Sequence, residues 1–439
     1  MPDQGRLQVQ VYQGQSYKPI DNAKVTITQL PEASNKVAEQ KVVSNNSGQT
    51  SIVELLAPSK DNSMKPSDKA PYSLCDVKVE AEGYRPLLIK GCQIYPDTKA
   101  IQQCNMNPIG RDGYREEVII DVAPNRLVGN YPPKIPEAPE KPLPKPVGTV
   151  VLPQPVVPEF VIVHTGGPND PSAANYTMRY KDYITNVGCS EIFSTWSENT
   201  IRANLLCIIS FTLNRIYTEW YRAKGKNFNI TNSTAYDHAF SYGRTIYDNI
   251  ANAVDSIFST YMLRPGAKQP LLAQYCDGVK VQCPNWLTQW GSKYQGDLGK
   301  SPYEILTYFY GTDLNLTTAK KVSGIPSSYP GYTLGMGSSG RPVRDVQTYL
   351  NRISQNYPAI PKQRVDASYG QATRKSVMEF QKVFSMPITG TVDYATWYKI
   401  SDIYVGVTKI AELRGTFVPP VPYGEMYDFT PTVKYPLED

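Results

Sequence analysis

The residue best suited to chemistry in this sequence is Glu191, a single carboxylate set between small side chains and bulky apolar ones. Burial beside apolar groups disfavours the charged form of a carboxyl group, so such a site is expected to keep its proton near neutral pH. A carboxyl group of that kind serves as a general acid. We therefore predict a catalytic acid at Glu191. The small residues of a predicted turn before it and the apolar residues after it are Gly188, Cys189, Ser190, Ile192, Phe193 and Trp196.

Glu198 is the rival acid on the same stretch. It follows Ser197, a good helix N-cap, and carboxylates in the first turn of a helix commonly complement the helix dipole. We therefore expect a structural role for Glu198. The same dipole role is the alternative for Glu191.

Two predicted helices must hold this acid in place. Apolar residues recur at helical spacing from about Ser197, and Gly225 is the predicted stop. A second helix is predicted from about Gly243 to Tyr261. An apolar run at residues 160–163 predicts a strand that enters the same domain.

Residues 1–122 are predicted to form a β-sandwich-like module. Leu7, Val9 and Val11 alternate with polar residues, as on a half-buried strand, and turn-forming clusters separate the later strands. The order of strands and turns resembles prealbumin-like and carboxypeptidase regulatory-like modules. That resemblance implies no catalytic residues, so we expect a structural or inhibitory role.

A proline-rich linker is predicted at residues 123–158. Eleven of the 37 prolines lie between Pro124 and Pro158, a composition typical of extended, exposed chain. Proteases cut such segments readily, and residues 147–151 are predicted to be the most susceptible to cleavage. We predict that the N-terminal module is a pro-region released by cleavage here; the alternative is a plain spacer.

Residues 159–328 resemble the SpoIID-like domain of sporulation proteins and amidase enhancers. The resemblance rests on residues 190–193 with Trp196 and 201–204, and on the later stretches 288–291 and 301–310, in the family's order and spacing. The chain departs from the family pattern at two helix positions, and it lacks the cysteines that bind metal in some members. We therefore predict no metal and no cofactor.

The resemblance implies a lytic transglycosylase, in which Glu191 alone does the proton transfers. Gln289 is predicted to hydrogen-bond an N-acetyl or lactam carbonyl of the glycan, and Tyr303 to stack on a sugar. Trp196 is the third predicted substrate-binding residue. Gln289 and Tyr303 could equally hold loops together.

Residues 329–411 resemble the peptidoglycan-binding domain, a three-helix module. Gln347 and Gln381 each stand at the end of an apolar helical stripe, before glycine-containing loops, and Trp397 follows at the family's position. The resemblance implies an anchor on wall glycan without chemistry of its own. Residues 412–439 form a predicted C-terminal tail.

The whole fold is thus predicted to be multidomain α+β, with its modules in the order of the clostridial spore cortex-lytic enzymes. That resemblance implies a pro-enzyme stored in the spore, activated by a subtilisin-like germination protease and acting on cortex peptidoglycan. Two other functions stay open: a non-enzymatic enhancer of an amidase, and a muramidase that uses water.

Composition bears on the partners, the location and the cysteine chemistry of the chain. The net charge of +5 comes without a long basic run, which argues against nucleic acid. The N-terminus predicts no signal peptide, and no apolar run predicts a membrane span. Seven cysteines at irregular spacing argue against a disulfide framework, so free thiols are expected for Cys276 and Cys283, with a disulfide second. His164 and His238 are expected to be structural.

Overall fold

A computed structural model describes residues 3–29, 38–110, 113, 115–141 and 154–409. This part of the chain is mixed α+β, with seventeen strands and eight α-helices. The strands are β1 (Asp3–Gln13), β2 (Lys18–Pro19), β3 (Lys24–Gln29), β4 (Ala38–Val43), β5 (Val53–Ala57), β6 (Ser73–Glu80), β7 (Leu87–Ile94), β8 (Lys99–Met106), β9 (Val118–Asp121), β10 (Phe160–His164), β11 (Asn175–Arg179), β12 (Ile230–Thr231), β13 (Ile246–Tyr247), β14 (Thr260–Leu263), β15 (Tyr275–Cys276), β16 (Leu287–Thr288) and β17 (Asn315–Thr318). The helices are α1 (Tyr180–Glu191), α2 (Glu198–Tyr217), α3 (Asp248–Ile257), α4 (Gln289–Asp297), α5 (Pro302–Tyr310), α6 (Arg341–Ile353), α7 (Gln371–Val383) and α8 (Tyr394–Thr408).

The N-terminal strands form two sheets that share one apolar core. In the first sheet β1 pairs with β8 on one edge and with β2 and β5 on the other; the second runs β4–β3–β6–β7–β9. Leu7, Val9 and Val11 are buried on the first sheet, and Val77 and Val79 on the second. The buried positions predicted on β1 are confirmed, but Gln10 and Tyr12 are buried as well, so β1 is not the half-buried strand that was predicted.

The first sheet also takes in a strand from the central region. Strand β13 pairs with β8, with Ile246 opposite Ile101 and Tyr247 opposite Ala100. The Tyr247 hydroxyl donates to the backbone carbonyl of Gln93 at 2.9 Å. The N-terminal module is therefore joined to the central region by backbone hydrogen bonds as well as by the linker.

Helix α1 includes the residues predicted as a turn before Glu191, so that prediction is wrong. Gly188 lies within the helix, and a Cβ there would lie 2.8 Å from Leu205 and 3.1 Å from Ile250. The glycine lets α1 pack closely against α2 and α3, and the chain stays helical up to Glu191.

Helix α2 begins as predicted, with the Ser197 hydroxyl accepting from the Thr200 N–H, but it ends at Tyr217. Gly225 instead ends a separate 3-10 turn with a φ of 76°. The second predicted helix is shorter than expected: residues 246–247 are strand β13, and β14 begins at Thr260.

Helices α6, α7 and α8 form the C-terminal module, and two buried glutamines fasten its loops. The Gln347 side-chain oxygen accepts from the backbone N–H groups of Asp366 and Ala367. The Gln381 oxygen accepts from those of Thr389 and Gly390 at 3.0 and 2.9 Å. Both inter-helix loops are therefore held in the same way, by a buried glutamine oxygen that accepts two backbone N–H groups.

Cys276 and Cys283 form a disulfide, so the expectation of free thiols was wrong for this pair. The sequence carries no signal for it beyond a separation of seven residues. The other five cysteines are buried and unpaired with one another. Within the described ranges, no helix is both long enough and apolar enough to span a bilayer.

We expect Gln381→Leu to lower the free energy of unfolding of the C-terminal module by roughly 1–3 kcal/mol, because two loop N–H groups lose their acceptor. Urea unfolding followed by circular dichroism measures this. Lys382→Ala, at the neighbouring exposed position, should change it by less than about 0.5 kcal/mol. Equal effects of the two substitutions would contradict the fastening role.

We expect five of the seven cysteines to react with iodoacetamide when the denatured protein is alkylated without reductant. All seven should react after treatment with dithiothreitol. Peptide mass spectrometry assigns the two protected thiols. Alkylation of Cys276 or Cys283 without reductant would contradict the disulfide.

Candidate functional site

Glu191 is the last residue of α1 and is 1% exposed. Asn125, from the proline-rich segment, fixes the chain around it, because its side-chain N–H₂ donates to the carbonyls of Cys189 and Ile192. The backbone N–H of Arg126 donates to the Ser190 carbonyl at 2.7 Å. The end of α1 is thus capped by a segment that lies about sixty-five positions earlier in the chain.

The Glu191 carboxylate has a polar partner on each oxygen. Its Oε1 accepts from the backbone N–H of Ala239 at 2.7 Å. Its Oε2 accepts from Gln289 Nε2 at 3.1 Å and lies 3.6 Å from Arg126 Nε, in a buried ion pair. The expected apolar surroundings are therefore not what this carboxylate meets in the described chain.

Gln289 is the predicted substrate-binding residue that the structure places at Glu191. It is fully buried, and its Nε2 donates both to the Glu191 carboxylate and to the Glu191 backbone carbonyl, the latter at 2.9 Å. Its Oε1 accepts from Arg126 Nη1 at 2.8 Å. Gln289 therefore orients the acid and the guanidinium at once.

Trp196 and Tyr303 have other surroundings. Trp196 is buried in an aromatic cluster with Phe193 and Trp290, and its indole N–H donates to the backbone carbonyl of Ser63 in the N-terminal module at 2.9 Å. Tyr303 lies on α5, and its hydroxyl donates to the Leu314 carbonyl. Within the described part of the chain, neither Trp196 nor Tyr303 makes a hydrogen bond to Glu191.

Glu198 and the two histidines occupy structural positions. Glu198 is exposed and pairs with Arg202 one helical turn later. His164 bridges Asn175 and the Gly167 carbonyl. His238 is fully buried, and burial followed by the positive charges of Lys134 and Arg215 lowers its pKa well below the ordinary value.

Residues 125–141 lie over this region. Several side chains of this part of the predicted linker are buried, whereas its prolines, Pro132, Pro133, Pro136 and Pro139, are exposed as predicted. The predicted cleavage point at residues 147–151 lies outside the described residues. We call residues 125–141 the covering segment. Its buried members are Asn125, Arg126, Leu127, Lys134 and Lys141.

Lys134 is the member that sequence analysis missed most completely. Its ammonium donates to the Asp237 carbonyl and lies 4.8 Å from the ring centres of both Phe211 and Tyr275. Burial lowers its pKa to about 8, although the charge of Glu191 acts in the opposite direction. A lysine in a proline-rich stretch carries no pattern that distinguishes it from a solvated one.

A second buried charge network lies further along the covering segment. Arg215 on α2 donates to Asp237 at 2.7 Å and to the two Glu137 oxygens at 2.9 and 2.6 Å. Lys141 also pairs with Glu137. Since Glu137 belongs to the covering segment, this ion pairing ties the segment to the helix that follows the candidate acid.

The described residues contain no cluster of three or more histidine, cysteine, aspartate or glutamate side chains that could hold a metal ion. Around Glu191 the fold brings together its carboxyl group, the Gln289 amide, the Arg126 guanidinium and the Ala239 N–H.

Residues 339–400 match the peptidoglycan binding domain family. They form a peptidoglycan-binding domain. The match spans α6, α7 and the first half of α8, and its presence supports peptidoglycan as a partner of the chain. No curated protein matches this chain.

Two solved structures show limited similarity. The SleB N-terminal domain is 22% identical over 18% of this chain and 99% of its own, with a TM-score of 0.16. The 3-chlorocatechol 1,2-dioxygenase of Rhodococcus opacus 1CP is 9% identical over 25% of this chain and 61% of its own, with a TM-score of 0.18. TM-scores of this size do not establish a shared fold.

We expect the stability contributed by Lys134 to rise with pH. Its pKa is about 8 in the folded chain and 10.5 when unperturbed, so between these values the unfolded chain binds more protons at this residue. The free energy of unfolding of the unaltered protein should therefore increase, relative to that of Lys134→Met, from about pH 7 to about pH 10. Urea titrations followed by tryptophan fluorescence measure the free energies of unfolding of the two proteins. A difference between them that does not change with pH would contradict the lowered pKa of Lys134.

Proposed function

We propose that this protein is a lytic transglycosylase that cleaves the glycan strands of peptidoglycan, with Glu191 as the catalytic residue. The observation that carries the proposal is a buried carboxylate, oriented by Gln289 and the Ala239 N–H. It lies in the same chain as a peptidoglycan-binding domain. The SpoIID-like motifs around residues 190–193 and 288–291 support the same assignment.

The reaction needs one carboxyl group used twice. The protonated Glu191 gives its proton to the glycosidic oxygen as the C1–O4 bond breaks. The resulting carboxylate then takes the proton of the C6 hydroxyl on the same sugar as O6 bonds to C1. The product carries a 1,6-anhydro ring, no water is consumed, and Glu191 ends protonated again. An ordinary glycoside hydrolase needs a second carboxyl group.

The contacts of Glu191 hold its carboxyl group in one orientation. The Ala239 N–H donates to Oε1 and the Gln289 amide donates to Oε2. The Arg126 guanidinium, 3.6 Å from Oε2, lies where a glycosidic oxygen would have to approach that carboxyl group.

We propose that the protein is stored as a pro-enzyme and is activated by proteolysis in the linker, most readily at residues 147–151. The order of modules resembles the clostridial spore cortex-lytic enzyme SleC. That resemblance implies a location in the spore, cortex peptidoglycan as substrate and a subtilisin-like germination protease as activator. Removal of Arg126 from Glu191 supplies a physical reason for activation.

We expect the linker-cleaved protein to release cortex fragments that end in 1,6-anhydromuramic acid. Glu191→Gln should still bind cortex peptidoglycan, because α6–α8 are untouched, and should release at least about 100-fold less material. Mass spectrometry of the soluble fragments measures both results. Glu198→Gln is the matched control and should retain the activity of the unaltered protein.

Other outcomes identify the other functions. Reducing ends in place of anhydro ends would make the protein a muramidase. Absence of fragments from the cleaved, unaltered protein would leave a binding role, such as enhancement of an amidase. N-terminal sequencing of the active form tests the storage proposal, and an active species that begins at Met1 would contradict it.

A further inference from the structure

We propose that the covering segment occupies the glycan-binding cleft itself, with Arg126 in the place of the sugar whose bond is cleaved. This inference rests on the proposed function of Glu191, but its evidence lies in how residues 125–141 are bound. The segment makes contacts of the kind a bound ligand makes, with backbone, charge and side chains all matched to the surface beneath.

Arg126 provides the first match. Its guanidinium contacts both Glu191 and Gln289, and within the described chain its Nη2 is buried without a hydrogen-bond partner. Glycan cleavage passes through an oxocarbenium-like state, in which positive charge develops on the sugar ring beside the catalytic carboxyl group. A guanidinium in that position supplies the same sign of charge. Arg126 therefore resembles the reacting sugar electrostatically.

The surface under Lys134 provides the second match. Phe211, His238 and Tyr275 present rings there, and the rings of His238 and Tyr275 are nearly parallel at 5.9 Å. In the described residues, His238 Nε2 and the Tyr275 hydroxyl are buried and have no hydrogen-bond partner. Aromatic faces combined with a few unused polar atoms are typical of small-ligand sites and suit a sugar ring.

The backbone of the covering segment provides the third match. The Ile135 N–H donates to the Ala235 carbonyl at 2.7 Å, and the Ile135 carbonyl accepts from Gln274 Nε2 at 2.8 Å. The Glu137 N–H donates to Gln274 Oε1 at 2.9 Å. The Gln274 side chain thus hydrogen-bonds two backbone amide groups of the segment. After the segment leaves, the same side chain is placed to hydrogen-bond the N-acetyl amide groups of a glycan.

Trp220 contacts the last residue of the covering segment. The Lys141 ammonium lies 3.2 Å from the centre of the Trp220 indole ring. An indole face freed by the departure of Lys141 is a stacking platform for a further sugar.

Cleavage of the linker alone does not uncover this cleft. The segment keeps its ion pairs to Glu191 and Arg215, and the module before it stays joined through β8 and β13. Glycan and segment then compete for one surface. We infer that release of the segment is a separate step after cleavage, and that glycan promotes it.

Hydrogen-exchange mass spectrometry of the full chain, cleaved at a foreign protease site placed within residues 142–153, tests this inference. The probe is a soluble tetrasaccharide of alternating N-acetylglucosamine and N-acetylmuramic acid. We expect the tetrasaccharide to accelerate hydrogen exchange at the backbone amides of Arg126, Ile135 and Glu137. These amides belong to the covering segment and are protected from exchange while the segment is bound. Because exchange is read at these amides, binding of the sugar to α6–α8 does not affect the result.

Glu137→Gln is the informative variant, since it weakens the hold of Arg215 on the segment while Arg215 keeps Asp237 as a partner. It should speed exchange of the segment about tenfold and increase the effect of the sugar. Glu140→Gln, an exposed carboxylate of the same segment, is the matched control and should behave like the unaltered chain.

The results separate this inference from the proposed function. Acceleration by the tetrasaccharide supports the shared cleft even if no anhydro product forms. Exchange that is unchanged by the sugar, in both the cleaved chain and its Glu137→Gln variant, overturns the shared cleft even if glycan is cleaved.

Discussion

The buried ion pair between Glu191 and Arg126 is the constraint on which the described arrangement depends. Burying a charge is costly unless it is paired and hydrogen-bonded. Here the carboxylate has Ala239, Gln289 and Arg126 as partners, and the guanidinium shares Gln289 with it. Removing the covering segment takes this cation away from Glu191, so the contact that completes the folded chain also covers the candidate acid.

The N-terminal module is built into this arrangement rather than appended to it. Strand β13 completes its first sheet, and the Ser63 carbonyl accepts from the indole of Trp196, five residues after the candidate acid in the sequence. The module also reaches the peptidoglycan-binding domain, where Lys99 donates to Ser385 at 2.9 Å. One module therefore contacts both the region around Glu191 and the peptidoglycan-binding domain.

Local patterns in the sequence predicted the parts of the fold that local physics decides. Alternation at Leu7, Val9 and Val11 predicted β1, and the Ser197 cap predicted the start of α2. Gln347 and Gln381 indicated the C-terminal helices. The contacts of Glu191 were beyond such reasoning, because Arg126, Ala239 and Gln289 are far apart in sequence. Proline content predicted exposure for residues 124–158, yet Arg126, Lys134 and Glu137 bury their charges against partners that only the tertiary fold supplies.

The central claim is that Glu191 acts on glycan in the place that Arg126 now occupies. A crystal structure of the linker-cleaved protein with the bound tetrasaccharide tests it most directly. The account predicts a sugar ring within hydrogen-bonding distance of the Glu191 carboxylate, with residues 125–141 displaced. A structure in which Arg126 still contacts Glu191, and the sugar binds only to α6–α8, would contradict it.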